Sequence, residues 1–116
     1  MTSVKMMVGG SFADTKRRAL DAIARAKAGL LVEPENYITF QSWKALASVL
    51  TDKRYQLLHQ LRQTPSKDIA MLARQLKRDY KRVYRDVEAL EAAGLIERDK
   101  SGLRTKYDTI RAELYL

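Results

Sequence analysis

A mainly α fold with a small amount of β is what this sequence predicts, on three observations. Apolar residues recur at spacings of three and four along the middle of the chain, where residues suited to helix ends separate the runs. The last quarter changes to β-branched and alternating patterns around a turn. With 116 residues, 46% hydrophobic and 31% charged, the chain has the length of one domain and enough apolar material for a core.

Met1 to Ser11 ends in Gly9, Gly10 and Ser11 and has no periodic pattern, so it is expected to be a flexible arm that specifies no core. From Asp14 to Ala28 the Ala-rich sequence predicts a weakly amphipathic helix ended by Gly29. Leu20, Ile23 and Ala24 share one face, with Lys16, Arg17, Arg25 and Lys27 elsewhere. Leu30 to Pro34 breaks helical continuity, and Tyr37 to Phe40 has the content of a short strand. The expected division is therefore a basic arm and helix over 1–33 and a second unit over 34–116.

Gln41 to Leu50 reads as a helix with Trp43, Leu46, Ala47 and Leu50 on its core face. Thr51 is suited to cap a second helix carrying a Tyr55, Leu58 and Leu61 stripe, which Gln63 to Ser66 closes. Asp68 is suited to cap a third, with Ile69, Leu72, Ala73 and Leu76 inward. After Lys77, Arg78 and Asp79 a fourth places Tyr80, Val83, Val87 and Leu90 inward and ends at Gly94. Leu95 to Arg98, the turn Asp99 to Gly102, and Leu103 to Tyr107 have the form of a hairpin. Ile110 to Leu116 alternates as a half-buried strand. Because isolated strands are unstable, this tail and Tyr37 to Phe40 are expected to pair with each other, within a chain or across a dimer.

Two short helices, a tight turn and a hairpin follow one another in the order of a winged helix-turn-helix, here with an extra N-terminal helix and a C-terminal strand. The recognition helix would span about 79–93 and the wing about 95–107. Lys77, Arg78, Lys81, Arg82 and Arg85 crowd its start against one acid, Asp79. If the apolar stripe faces the core, Lys81, Arg82, Tyr84, Arg85 and Glu88 point outward. A charge run alone is ordinarily a solvated helix face. Here the hairpin adds Arg98, Lys100, Arg104 and Lys106 where a wing would stand. Lys81, Arg82 and Arg85 would then read bases, Tyr84 and Lys77 would hold phosphate, Lys100 and Arg104 would reach the minor groove or backbone, and Arg78 and Lys106 are expected among the DNA contacts as well. Asp86, four residues after Arg82, would orient the basic face.

The segments Asp68 to Leu76, Val83 to Leu90 and Gly94 to Arg98 resemble winged-helix transcriptional regulators of the MarR and ArsR type. Ile38 to Phe40, Leu50 to Arg54, Arg85 to Val87 and Tyr107–Asp108 are similar to a group of short predicted bacterial and archaeal regulators, some of which are antitoxins. The resemblance implies Ala73 as the small residue where the two helices cross, and basic outer positions at Lys81, Arg82 and Arg85. Lys77 stands where such turns often carry glycine, which implies either a strained left-handed residue or a different turn.

The formal charge of +8 and a pI near 9.9 point to a polyanion as partner. No cysteine and a single histidine, His59, leave no material for thiolate or His-cluster metal sites. Scattered carboxylates and the lack of a Gly-rich phosphate loop argue against an enzyme, and no cofactor is expected. No apolar run reaches membrane-span length and no signal peptide is evident, so a cytoplasmic protein is expected. The functional expectation is a sequence-specific double-stranded DNA-binding regulator, a homodimeric repressor. The alternative is an antitoxin whose arm and first helix neutralise a toxin protein while the remainder autorepresses.

Overall fold

Ser3–Val8 forms strand β1, with Val4, Met6, Met7 and Val8 all buried. The structure, a computed structural model, describes residues 2–9, 16–17, 20–21, 23–24, 27–29 and 36–116. Strand β2 (Asn36–Phe40) and strand β5 (Thr109–Leu114) flank β1, both parallel to it, in the order β2-β1-β5. Val4 lies between Asn36 and Ile110, Met6 between Ile38 and Ala112, and Val8 between Phe40 and Leu114. Val4, Met6 and Val8 therefore point with Ile38, Phe40 and Ile110 into the main core. Lys5 and Met7 point to the other face.

This sheet overturns the mainly α winged-helix class: the fold is mixed α/β, and the chain begins with a strand rather than with a flexible arm and a helix. A central parallel strand is covered on both faces, so it reads as a short apolar run without alternation, and Lys5 interrupts even that. The expected pairing of β2 with β5 within one chain is also corrected, because β1 separates them. In the segment predicted as the first helix, the described residues up to Lys27, among them Leu20 and Ile23, are helical, yet these two side chains are more than half exposed. The Leu30 to Pro34 break and Arg25 lie outside the described residues.

Between β2 and β5 stand four helices: α1 (Trp43–Val49), α2 (Asp52–Gln63), α3 (Ile69–Leu76) and α4 (Tyr80–Ala92). Each starts where a side-chain oxygen accepts a hydrogen bond from an otherwise unpaired first-turn N–H: Ser42 from Ala45, Thr51 from Arg54, Asp68 from Met71 and Asp79 from Arg82. Leu57, Leu58, Leu61, Leu72, Ala73, Val83, Val87 and Leu90 close the core beneath β1. Trp43, Tyr55 and Tyr80, expected inside, are 56%, 58% and 50% exposed, and Ala47 is exposed as well. The three aromatics lie in the first turn of their helices, where the apolar stripe overhangs the core. Trp43 instead stands on the rim of a hollow of about 650 Å³ between α1, α2 and the sheet.

The turn between α3 and α4 resolves the question that Lys77 posed. Lys77 takes the left-handed conformation, φ 54° and ψ 47°. Its N–H donates to the Arg74 carbonyl at 3.1 Å, and the Arg78 N–H donates to the Ala73 carbonyl at 3.0 Å. These two bonds close the helix end and oblige a residue with a Cβ to accept positive φ. Lys77→Gly is expected to raise stability by about 0.5–1 kcal/mol, seen as a higher thermal midpoint, while removing one exposed cation.

Strands β3 (Glu97–Asp99) and β4 (Gly102–Arg104) form the hairpin. It is attached to the helices through the backbone: Ser66 N–H donates to Leu103 O at 3.0 Å and Leu103 N–H to Ser66 O at 2.7 Å. The loop that closes α2 thereby acts as a third partner of the hairpin.

Candidate nucleic-acid interface

Lys81 and Arg85 occupy the side of α4 opposite its buried stripe of Val83, Val87 and Leu90. At about 100° per residue, Arg82 lies on one flank and Tyr80 and Tyr84 on the other. All five side chains are exposed. The Arg82 flank borders a cleft of about 570 Å³ lined by Lys53, Lys77, Arg82 and Arg85, with Asp79 and Asp86 as its acids. Lys53 belongs to the first turn of α2, so two helices and the turn converge their cations there. Among the described residues, Lys53, Lys77, Lys81, Arg82 and Arg85 make no ion pair.

Asp86 holds this surface together. Its Oδ1 accepts from Arg54 Nε at 3.0 Å and its Oδ2 from Arg78 Nη2 at 2.7 Å. Arg54 Nη1 also donates to the carbonyls of Ser48 and Val49 at 2.8 and 2.9 Å. One carboxylate thus ties the end of α1, the start of α2, the turn and α4, all through side chains no more than 19% exposed. The expected partner of Asp86 was Arg82; the structure gives it Arg54 and Arg78, leaving Arg82 open to solvent. Arg78, named among the DNA contacts, is therefore committed inside the protein. Asp86→Ala leaves two guanidinium groups half-buried without their acceptor, and a loss of about 2 kcal/mol is expected in denaturant unfolding.

The Tyr80 and Tyr84 flank faces the hairpin across a second hollow of about 380 Å³, which Lys67, Arg98 and Asp99 also line. The two tyrosine rings lie 6.2 Å apart, tilted by 32°. Most hairpin cations are occupied. Arg98 reaches Glu88 and Glu91 at 2.7 and 2.8 Å. Its hydrogen bonds hold the Glu91 carboxyl below the usual carboxylate range, and Glu91 in turn raises Arg98. Arg104 reaches Asp99 at 2.7 Å and Glu97 at 3.3 Å. That hydrogen bond pulls Asp99 down, and Asp99 raises Arg104. Lys106 lies 3.6 Å from Glu97. Lys100, at the hairpin tip, makes no ion pair among the described residues.

The predicted site residues thus divide in two. Lys77, Lys81, Arg82, Arg85 and Tyr84 come together on one exposed surface, with Lys100 open at the hairpin tip; Arg78, Arg104 and Lys106 are held by carboxylates. Sequence reasoning missed Lys53 and Lys67. Their proximity to α4 depends on how the helices pack, and the only local sign is a lysine close to a capped helix start.

Fold and site together define a mixed α/β protein that presents a basic helix face braced by a half-buried carboxylate. The chain belongs to the HVO_A0114 family, whose model matches residues 49–112, from the end of α1 into β5. That description names no activity. No curated protein and no solved structure matches the chain. No helix among the described residues is long and apolar enough to cross a membrane.

Proposed function

We propose that this protein is a sequence-specific double-stranded DNA-binding transcriptional regulator, a cytoplasmic homodimeric repressor that acts by occupying a promoter. The observation that carries this reading is the group of unpaired cations, Lys77, Lys81, Arg82 and Arg85 with Lys53, around one cleft and one helix face. Arg54, Arg78, Arg98, Arg104 and Lys106 are each paired with a carboxylate, and the cations left open beside them on α4 sit where that helix can enter a major groove. Arg82 and Arg85 have the reach and fork geometry for guanine O6 and N7. Lys53 and Lys77 line the same cleft, where they can hold phosphate. Tyr84 can stack or donate to a phosphate oxygen.

Selection of bound duplexes from a random pool, followed by footprinting, tests the proposal. An enriched site of two related half-sites is the expected result, and uniform coating of all sequences would remove sequence-specific regulation. Lys100 is the one hairpin cation left to touch the backbone. Lys100→Ala is expected to shrink the salt dependence of binding by about one unit of slope without changing which sequence is selected, measured by titration across ionic strengths.

The toxin-neutralising alternative relies on residues 1–33 as a free arm and helix. Ser3–Val8 is instead the buried central strand, so no specific observation favours that reading.

A further inference from the structure

We propose that the outer edge of β5 is a self-pairing interface, where two copies of this chain join their sheets antiparallel about a two-fold axis at Ala112. β5 ends the sheet, and among the described residues nothing pairs with its outer side. Tyr115 donates its N–H inward to Val8 O at 3.0 Å. Alternation along the strand therefore turns the N–H and C=O groups of Ile110, Ala112 and Leu114 outward. Such a row of unpaired backbone groups is a template for another strand.

The side chains select both the occupant and the register. With Ala112 on the axis, Ile110 faces Leu114 of the partner subunit on the core side of the sheet. On the opposite side Arg111 faces Glu113 of the partner subunit, twice by symmetry. Moving the axis by one residue sets Arg111 against its own copy in one direction and Glu113 against its own copy in the other. A half-residue move would place apolar side chains against charged ones. Only the axis at Ala112 pairs unlike charges and like faces together. Arg111 is exposed and makes no ion pair among the described residues, whereas Glu113 is held by Lys5 at 3.2 Å and accepts from the Tyr115 hydroxyl. Pairing thus completes a row of cation, anion and cation across the seam. It also covers Leu114, 53% exposed in the single chain. The other edge strand, Asn36–Phe40, carries no charge to set a register.

The test is the mass of the full chain in solution, by sedimentation or light scattering without DNA, so its outcome does not depend on the DNA reading. The wild-type chain is expected at twice the single-chain mass. Ala112→Pro removes an outward N–H that no strand among the described residues uses, and is expected to give a folded monomer with unchanged circular dichroism. Arg111→Glu and Glu113→Arg, each alone, set like charges across the seam and are expected to raise the dimer dissociation constant about tenfold or more. Mixed together, these two variants present all-acidic and all-basic seams and are expected to associate as a mixed dimer. A monomeric wild type, a dimeric Ala112→Pro, or folded reversed chains that fail to associate on mixing would each overturn the proposal. Should Glu113→Arg unfold, Ala112→Pro and Arg111→Glu decide it alone.

Discussion

Binding to the selected duplex is expected to fall about 100-fold or more when Arg82 and Arg85 are both changed to alanine, since each bidentate base contact contributes about 1–3 kcal/mol. Both side chains are exposed and neither makes an ion pair among the described residues, so their removal leaves folding nearly unchanged. Changing either alone should relax preference at one base pair, read by titrating the variants on the selected site and on single-base changes of it. Being three residues apart on one helix face, the two are expected to depart from additivity. Arg98→Ala supplies the contrast: Glu88 and Glu91 already hold that guanidinium, so its loss should alter DNA affinity far less. An equal fall on the selected and on shuffled duplexes would reduce both arginines to phosphate contacts.

Gly102→Ala is expected to cost about 3–4 kcal/mol, from overpacking plus unfavourable backbone conformation. Gly102 has φ 120°, and a Cβ added there would lie 2.3 Å from Ser66 O and 3.0 Å from Lys67 O. The obstruction is backbone, which no rotamer change can relieve. Relief requires parting β4 from the loop after α2, breaking the paired hydrogen bonds between Ser66 and Leu103 and opening buried Leu103 to water. Urea unfolding measures the loss, and amide exchange at Ser66 and Leu103 should rise more than at Val83 or Val87 in α4. A substitution at neighbouring Ser101, exposed at the turn, should be nearly neutral.

The helices from Thr51 to Gly94 were legible because their signals are local. An oxygen-bearing cap and apolar residues three and four apart act within one or two turns, so Thr51, Asp68 and Gly94 mark ends that the fold keeps. The same spacing assigned Leu72, Val83, Val87 and Leu90 inward and Lys81, Arg82 and Arg85 outward. It failed for Trp43, Tyr55 and Tyr80 in the first turns of their helices, where a stripe continues past the core it serves, and for Ala47 in α1. It also failed for Met1 to Ser11, because a six-residue strand buried on both faces has no period to detect.

By itself, then, the sequence determined where four helices start and stop, which faces they bury, and that positive charge gathers near the start of α4. Tertiary structure decided that β1 is the centre of a parallel sheet and which cations stay unpaired. Both depend on residues far apart in the chain. Ser3 meets Thr109 across the sheet, and Arg54 meets Asp86 across thirty-two positions. Those encounters follow from packing, which brings distant groups within hydrogen-bonding distance and has no period along the sequence.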